Sequence, residues 1–361
     1  MKILYLYSEI MGYNLPIFAE LARHHDAEVH VVHWDKNKLT PFSPEPISGV
    51  TFYPRSSFAD IELQSFVKKM TPDLIYVSGW MDHGYLSACA SAKERGTTVV
   101  VGFDSQWTGS LRQRLGALFM QLHFRKKHFS FAFVPGPLQA KYARHIGFAE
   151  EEIIPNLLSA DTAIFEQAAA TLEHSKLSAY PQNFLYVGRF AEMKGIDILV
   201  KAFEIYKEKY KGTWTLTCIG NGPMLDLLSQ HPDIITHPFM TQPELVKQAS
   251  EAGAFILPSR LDPWGVVVHE FAASGLPLIL SSHVGAREQF LVEGQNGYTV
   301  KDDSPEALAN AMQKISTQSD SNLIQMGKLS ATLAKKIDPS ISAVSFLSAV
   351  DRRERIKRQV Q

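Results

Sequence analysis

Cysteine is scarce in this chain, which has only two such residues among 361. Cys89 and Cys218 lie far apart, and neither belongs to a C-x-x-C pair or has a histidine at zinc-finger spacing. This pattern argues against a disulfide framework and against a structural zinc site. We expect two buried thiols in a reducing compartment, and no metal site.

The chain also lacks an excess of charge of either sign, because its formal net charge is −1. No global field therefore favours nucleic acid, and a charged partner must be recognised locally. No apolar run reaches transmembrane length, and the run at residues 3–7 is too short for a signal peptide. We expect a cytoplasmic protein that binds no nucleic acid.

A G-x-G-x-x-G turn is absent after the first apolar run, where Gly12 stands alone. This absence disfavours a dinucleotide-dependent dehydrogenase. The composition is that of a soluble globular protein, with 45% hydrophobic and 20% charged residues. The length of 361 residues fits two domains of ordinary size.

Short apolar runs alternate with helical patterns in two successive series. The first series extends from residues 3–7 to 131–134, and the second from 184–187 to 277–280. Continuous apolar runs are typical of parallel strands that are buried on both faces. The pattern predicts an α/β protein with two facing, doubly wound Rossmann-like domains and a cleft between them.

The boundaries follow from the same pattern. We predict an N-terminal domain of residues 1–166 and a linker at 167–183, which lacks periodicity and contains Pro181. A C-terminal domain covers 184–340. We expect the terminal helix, 341–361, to pack back on the N-terminal domain.

The apolar run at 254–257 predicts a strand, and the stretch 258–275 after it predicts a loop and a helix start. Such a junction builds anion sites in α/β proteins because the first amides of a helix have no intrahelical acceptor. Gly265 lets a ligand approach the backbone, and Val266 and Val267 supply first-turn amides. Two carboxylates, Asp262 and Glu270, flank these amides.

Two cations stand in a second junction of the same kind. Gly188 and Arg189 follow a strand, and Lys194 opens the next helix. Arginine can fork onto phosphate oxygens, while lysine supplies a point charge. This pair can stabilise a departing diphosphate without a divalent ion. A further strand-end glycine turn holds Gly220 and Asn221.

Polar and aromatic side chains follow strands of the first series: Trp80, Asp82, His83, Asp104 and Trp107. Ligands of α/β sheets bind at the carboxyl ends of strands, so these residues are candidates for substrate contact. Asp82 fits equally well as the N-cap of the next helix with His83 in solvent. Asp104 likewise suits either a sugar hydroxyl or a helix cap.

Together these motifs resemble the retaining GT-B glycosyltransferases of family four. The resemblance rests on V-G-R-F-x3-K-G, I-G-N-G-P, L-P-S-R-x-D-P-W-G-V-V-x-H-E-F-x-A-x-G-x-P, V-G-x-x-E and N-G, over roughly residues 184–300. It is weaker in the first half, where I-I-P-N-x-x-x-A-D at 153–161 is similar. It implies a GT-B fold with an acceptor-side N-terminal domain and a nucleotide-sugar-binding C-terminal domain.

Residue by residue, the resemblance implies that Arg189 and Lys194 hold the donor diphosphate. It implies that Asp262 contacts the donor sugar and that Glu270 binds the ribose hydroxyls. The remaining donor-binding positions are assigned to backbone and loop residues: Gly265, Val266, Val267, Gly188, Gly12, Gly220 and Asn221. The donor is a co-substrate linked to UDP, GDP or ADP, and no cofactor or metal is needed.

The sequence departs from the family pattern at three positions. Asp262 stands where the family usually has Glu, so its carboxylate reaches about one methylene less far. Gly12 is single where many relatives have paired glycines. Asp104 lies near the position of a histidine that touches the donor sugar in many relatives.

The implied reaction is retaining transfer of a sugar to a glycan or lipid-linked acceptor, in cell-surface polysaccharide or lipopolysaccharide biosynthesis. A glycosidase-like pair of nucleophile and acid is disfavoured, because the resemblance places both carboxylates on the nucleotide side. Front-face attack is the better hypothesis. The alternatives are a nucleotide-sugar epimerase on the same fold and a catalytically silent nucleotide-sugar-binding protein.

Residues 110–129 predict an amphipathic basic helix. Its apolar stripe consists of Leu111, Leu115, Leu118, Phe119 and Leu122, and its cations are Arg112, Arg114, Arg125, Lys126 and Lys127. Such a helix can lie on an anionic membrane surface, which would add peripheral association with the inner face. The other interpretation is that the leucines and Phe119 pack inward while the charges face water.

Overall fold

The computed structural model describes residues 1–36, 44–167, 169, 179–301 and 303–360. The chain divides into two compact units, which we call unit 1 (Met1–Ser159 and Pro339–Gln361) and unit 2 (Ala160–Asp338). Most of the predicted linker at 167–183, namely 168 and 170–178, lies outside the described residues.

Unit 1 is built on a parallel sheet with the strand order β3-β2-β1-β4-β5-β6-β7. The strands are Lys2–Tyr7 (β1), Glu28–His33 (β2), Val50–Pro54 (β3), Leu74–Ser78 (β4), Thr98–Gly102 (β5), Phe131–Phe133 (β6) and Ile153–Ile154 (β7). The central strands are buried along almost their whole length. This burial explains their continuous apolar runs, because helices cover both faces of a parallel sheet.

The helices of unit 1 alternate with these strands. They are Leu15–His24 (α1), Asp60–Met70 (α2), His83–Glu94 (α3), Leu111–Phe119 (α4), Arg125–His128 (α5) and Pro137–His145 (α6). A π-helical segment, Met120–Phe124, joins α4 to α5. Short 3-10 turns occupy Gly12–Asn14, Arg55–Ser57 and Glu150–Glu152.

Unit 2 contains a second parallel sheet, with the order β10-β9-β8-β11-β12-β13. Its strands are Asn183–Val187 (β8), Thr215–Ile219 (β9), Ile234–His237 (β10), Ala254–Leu257 (β11), Leu278–Ser281 (β12) and Gly297–Val300 (β13). Its helices are Ile196–Lys209 (α7), Leu225–Ser229 (α8), Gln242–Ser250 (α9), Val266–Ala273 (α10), Arg287–Phe290 (α11), Pro305–Ser316 (α12) and Asp320–Ala334 (α13). A 3-10 turn, Glu192–Lys194, precedes α7.

The strand order reverses once in each sheet, between β1 and β4 in unit 1 and between β8 and β11 in unit 2. The connections on either side of such a switch point leave in opposite directions and open a crevice at the carboxyl ends of the strands. The topology therefore locates one candidate binding position in each unit.

The last helix, Pro339–Val360 (α14), packs on the sheet of unit 1. The ring of Phe346 lies 5.3 Å from that of Tyr5 and 5.8 Å from that of Phe133. Ser342 Oγ donates a hydrogen bond of 2.7 Å to the carbonyl of Asn156. These contacts explain why residues 339–361 group with unit 1.

Cys89 and Cys218 are both buried and free of disulfide bonds, which confirms the prediction of two buried thiols. Burial raises the pKa of both thiols well above the ordinary value. Among the residues that the structure describes, no helix is both long enough and apolar enough to cross a membrane.

The apolar stripe of α4 and the π segment faces solvent. The exposed fractions are 74% for Leu111, 63% for Leu115, 53% for Leu118, 55% for Phe119 and 63% for Leu122. The inner face is made of other residues, including Ala117 and Met120. The interpretation in which the stripe packs inward is therefore wrong, and five large apolar side chains share one exposed surface.

Candidate functional site

Two loops meet at the switch point of unit 2, one after β8 and one after β11. The Met193 carbonyl accepts hydrogen bonds from the amides of Arg260 (3.0 Å) and Leu261 (3.3 Å). Gly195 has φ 71°, and a Cβ there would lie 2.2 Å from the Pro258 carbonyl oxygen. Only glycine allows this approach, so the two loops pack backbone to backbone.

Lys194 and Asp262 form an ion pair across these loops. Lys194 Nζ lies 2.7 Å from Asp262 Oδ2, and the two side chains are 20% and 8% exposed. Ser259 Oγ lies 3.4 Å from the same carboxylate oxygen. The cation expected at the diphosphate and the acid expected at the donor sugar are therefore direct neighbours.

Arg260 also links the same two loops. Sequence reasoning does not single out this residue. Its guanidinium donates to Asp197 Oδ1 at 2.7 Å and to Asp197 Oδ2 at 2.6 Å. Nη1 also donates to the Glu192 carbonyl at 2.6 Å. The pairing of Arg260 with Asp197 fixes the turn that carries Lys194, because a bidentate arginine–carboxylate pair restricts both partners.

The glycine turn after β9 supports the loop after β8. A Cβ at Gly220 would lie 2.0 Å from the Gly188 carbonyl oxygen. The Phe190 amide donates to the Asn221 carbonyl at 2.9 Å. Arg189, between these contacts, has an exposed side chain at the carboxyl end of β8.

Helix α10 starts beside this cluster. Gly265 has φ 87°, in the left-handed region, and precedes the first turn. Val266 and Val267 are partly buried, and their amides stand where helix geometry provides no intrahelical acceptor. The positive end of the helix dipole adds to the positive charge of Lys194 and Arg189.

Glu270 lies one turn into α10 and is only 8% exposed. Burial raises the pKa of its carboxyl from the ordinary 4.5 to about 7; the hydrogen bond from Gln242 lowers it and the charge of Asp161 raises it. Gln242 Nε2 lies 3.4 Å from Glu270 Oε1. The sequence signal for Gln242 is the capping box Thr241–Glu244, which starts a helix after β10.

Unit 1 has a pocket of about 320 Å³ at its own switch point, which we call the first pocket. Tyr7, Tyr76, Trp80 and Asp104 are among its lining residues. Trp80 packs edge-on against Phe103, with 5.5 Å between the ring centroids. Two of the acceptor-side candidates, Trp80 and Asp104, thus share one pocket with buried phenols.

The other acceptor-side candidates have different surroundings. Asp82 Oδ1 accepts from the Tyr85 amide at 3.0 Å, so Asp82 is the N-cap of α3, and His83 begins that helix with an exposed side chain. Trp107 stacks on His145 with 3.9 Å between centroids. These residues do not line the first pocket within the described part of the chain.

The structure thus groups most donor-side candidates around the carboxyl ends of β8, β9 and β11 in unit 2. They are Gly188, Arg189, Lys194, Gly220, Asn221, Asp262, Gly265, Val266, Val267 and Glu270. Gly12 belongs to unit 1, where it begins the 3-10 turn after β1. Its assignment to the donor stays a prediction.

Residues 172–329 match the model of the family described as glycosyl transferases group 1. A curated relative, glycogen synthase from Mycobacterium tuberculosis, is 30% identical over 142 residues, which cover 37% of this chain and 34% of that protein. The chain thus matches about a third of the length of this relative. The resemblance to this family of glycosyltransferases is confirmed.

Similar solved structures extend the comparison to the whole chain. Sucrose-phosphate synthase from Thermosynechococcus elongatus has a TM-score of 0.69 at 18% identity and covers 100% of this chain and 99% of its own. The E. coli trehalose-6-phosphate structure bound with UDP-2-fluoro glucose has a TM-score of 0.71 at 13% identity, with 97% and 99% coverage. These likenesses confirm the GT-B fold.

The first prediction concerns Arg260. We expect Arg260→Ala to weaken binding of UDP, GDP or ADP, whichever stabilises the protein most, by about tenfold, because the turn that carries Lys194 loses a pair that contributes roughly 1.5–3 kcal/mol to its stability, and part of that loss must be made up on binding. Arg260→Lys should recover little, since lysine cannot form the fork. Calorimetric titration of the nucleotide measures the change.

The control for Arg260 is Arg144→Ala. Arg144 forms a similar bidentate pair with Glu150 on the surface of unit 1. Its Nε donates to Oε2 at 2.7 Å, and its Nη2 donates to Oε1 at 2.9 Å. Such an exposed pair contributes little, so this variant should keep nucleotide affinity. Equal nucleotide affinities for wild type and Arg260→Ala would show that the pairing of Arg260 with Asp197 does not position Lys194.

The second prediction concerns pH and Glu270. The folded-state pKa of about 7 exceeds the ordinary 4.5, so the carboxyl ionises later in the folded chain than in the unfolded chain. Its contribution to the free energy of unfolding therefore falls as pH rises between these values, by on the order of 3 kcal/mol. Glu270→Gln should be more stable than wild type at pH 8 and similar at pH 4.5.

Urea unfolding of both proteins at the two pH values measures this difference. Glu251→Gln removes an exposed carboxylate from the same unit and serves as the control. A stability difference between wild type and Glu270→Gln that does not change with pH would contradict the raised pKa.

Proposed function

We propose that this chain, which carries a group 1 glycosyltransferase segment at residues 172–329 on a GT-B fold, transfers a sugar from a nucleotide-sugar donor to a glycan or lipid-linked acceptor. The anomeric configuration is retained. The observation that carries this proposal is the ion pair of Lys194 with Asp262 at the switch point, beside the start of α10. Cell-surface polysaccharide or lipopolysaccharide biosynthesis is the proposed setting.

The donor diphosphate binds to the positive end of unit 2. Lysine has three donors, so Lys194 can keep one hydrogen bond to Asp262 while it donates to a phosphate oxygen. Arg189 is exposed at the end of β8 and adds a second cation. Because these groups and the amides of Val266 and Val267 carry the required positive charge, no divalent ion is needed.

The nucleoside lies on the side of Glu270. A carboxylate accepts hydrogen bonds from two vicinal ribose hydroxyls, and Gln242 holds one of its oxygens. The related E. coli structure bound with UDP-2-fluoro glucose supports a nucleotide-sugar donor. UDP, GDP and ADP all remain candidates for the nucleotide.

The transfer proceeds by front-face attack. The bond between the anomeric carbon and the leaving diphosphate oxygen breaks, and an acceptor hydroxyl oxygen forms the new bond on the same face. The leaving oxygen takes the acceptor proton, so no protein base is required. Lys194 and Arg189 stabilise the charge that develops on the diphosphate, and Asp262 orients the donor sugar.

The acceptor binds in unit 1, where Trp80 and Asp104 line the first pocket. The exposed stripe of α4 and the π segment supports a lipid-linked acceptor at an anionic surface, because apolar side chains flanked by the exposed cations Arg112, Arg114, Lys126 and Lys127 suit the membrane interface. On this proposal the protein is cytoplasmic and associates peripherally with the inner face of the membrane.

The third prediction tests the catalytic cations. Lys194→Ala should lower turnover by about 100-fold to 1,000-fold, the range found when one stabilising donor of a transition-state charge is removed. Arg189→Ala should show a similar loss without unfolding, since its side chain is exposed. Nucleotide release from UDP-, GDP- and ADP-sugars, measured in EDTA with a glycan acceptor panel, gives the rates.

Lys201→Ala is the matched control, because Lys201 is an exposed lysine of α7 in the same unit. It should keep the wild-type turnover. Wild-type turnover in either Lys194→Ala or Arg189→Ala would refute the assignment of that residue to the diphosphate.

The fourth prediction tests the membrane surface. Wild type should sediment with phosphatidylserine-containing vesicles at low salt, and Leu115→Gln/Leu118→Gln should bind at least tenfold more weakly, since each buried leucine contributes about 1.5–3 kcal/mol. Both side chains are more than half exposed, so folding should be unaffected. Ile61→Gln, which changes another exposed residue of unit 1, is the control.

Raising the salt concentration should release the wild-type protein, because the flanking cations are screened. Equal sedimentation with phosphatidylcholine and phosphatidylserine vesicles, or no sedimentation with either, would count against an anionic membrane partner.

A further inference from the structure

A second pocket of unit 1 contains none of the residues that the sequence motifs single out. It has a volume of about 450 Å³ and includes Ser8, Trp34, Asp35 and Arg55 in its lining. These residues follow β1, β2 and β3, three parallel neighbours whose carboxyl ends lie at one edge of the sheet. The volume lies within the range of small-molecule sites. We call it the Trp34 pocket.

Trp34 presents a large aromatic ring at this pocket. Its side chain follows β2 and the residue is 41% exposed. The indole Nε1 donates a hydrogen bond of 2.9 Å to Asp82 Oδ2. Because the indole has only this one donor, the exposed remainder of Trp34 is an apolar surface whose orientation is fixed.

Arg55 and Asp82 form the frame behind the ring. Arg55 Nε donates to Asp82 Oδ2 at 3.0 Å, and Nη2 donates to Asp82 Oδ1 at 3.2 Å. The same guanidinium donates to the Phe58 carbonyl at 2.7 Å and to Asp60. The charge of Arg55 is thus engaged by two carboxylates, which makes it a poor anchor for an anionic ligand.

Asp35 supplies hydrogen-bond acceptors on the rim. Its Oδ1 accepts from the Ser56 amide at 2.9 Å, and its Oδ2 accepts from the Ser56 hydroxyl. A carboxylate has about four lone-pair positions, so Asp35 keeps acceptor capacity for a ligand's hydroxyl group. The hydrogen bond from the Ser56 side chain is the largest influence that holds the pKa of Asp35 below its usual value.

The lining leaves no excess of positive charge, because Asp60 and Asp82 already engage the charge of Arg55. Glu9 and Asp35 are acids, while Lys36 and Arg55 are bases. A pocket without excess positive charge and with one fixed aromatic face suits a neutral ligand that is rich in hydroxyls on its edges and has an apolar face. A pyranose ring has this chemistry.

We propose that the Trp34 pocket is a subsite for a neutral sugar ring of the acceptor, with the ring stacked on Trp34 and its hydroxyls bonded to Asp35. The assignment of this sugar ring to the acceptor rests on the proposed glycosyl transfer. The binding of a sugar ring to the Trp34 pocket does not depend on that proposal. Ser8 lines this pocket, and its amide donates to Ser78 Oγ, in the first pocket, at 2.7 Å. The two pockets are thus neighbours, as an acceptor of more than one ring requires.

The test is saturation-transfer NMR on the full chain with the methyl glycosides of glucose, galactose, mannose and N-acetylglucosamine. Ring protons of at least one glycoside should receive saturation in wild type. Trp34→Ala should bind that glycoside at least fivefold more weakly, and Trp34→Phe should retain more binding than Trp34→Ala, because a phenyl ring still stacks. Asp35→Asn should also weaken binding.

Phe239→Ala is the matched control, because it removes an exposed aromatic ring from unit 2 without changing this pocket. It should bind the glycoside like wild type. Undiminished binding in both Trp34→Ala and Asp35→Asn, or no saturation from any of the four glycosides, would overturn the proposal. Thermal melting of each variant verifies that it is folded.

A parallel melting experiment with UDP, GDP and ADP separates this inference from the proposed function. Trp34→Ala should keep the nucleotide-dependent rise in melting temperature, because Trp34 belongs to unit 1 and the donor candidates to unit 2. Glycoside binding without any nucleotide effect in wild type would support the subsite and contradict the transferase. A nucleotide-dependent rise in the melting temperature of wild type without any glycoside binding would overturn the subsite and leave the proposed transferase standing.

Discussion

The candidate site of unit 2 depends on one contact, that of Lys194 with Asp262. The two side chains come from loops after different strands, and they meet because Gly195 packs directly on the carbonyl of Pro258. A buried carboxylate without its cation is costly, since desolvation then has no compensation. The same contact therefore stabilises both loops and holds in place the cation that the proposed reaction needs.

The glycines around this pair are explained by packing within the protein as much as by a ligand. Gly220 leaves room for the carbonyl of Gly188, and Gly222 leaves room for that of Phe190, at distances where any Cβ would clash. The I-G-N-G-P motif thus braces the loop that carries Arg189. A motif that sequence comparison associates with the donor can act on it indirectly, through the backbone that it supports.

The sequence predicts the central strands and most helices well, because parallel strands that are buried on both faces leave continuous apolar runs. It did not reveal the edge strands β3, which has no buried residue, and β13, in which only Gly297 and Val300 are buried. It placed Lys194 and Asp262 in one site by family resemblance but not in one ion pair. Their contact spans 68 residues and is set by tertiary packing.

The orientation of α4 shows a similar limit. Periodicity identifies the stripe that contains Leu115 and Leu118, but the period is the same whether that stripe meets the core or the solvent. The structure decides the matter by filling the inner face with Ala117 and Met120. Sequence reasoning also does not identify Trp34, because a single aromatic residue after a strand belongs to no periodic pattern.

The two switch points differ in charge in a way that matches the proposed division of substrates. In unit 2, Lys194 and a helix start concentrate positive potential, which suits a diphosphate. In unit 1, Asp104 and the phenols of Tyr7, Tyr13 and Tyr76 line the first pocket, and burial raises the pKa of Tyr7 to about 12 and that of Tyr76 well above its usual value. Neutral phenols and aromatic rings favour uncharged hydroxyl-rich ligands over anions. A single sheet topology thus serves two kinds of ligand, because the residues at the strand ends set the charge while the fold sets only the position.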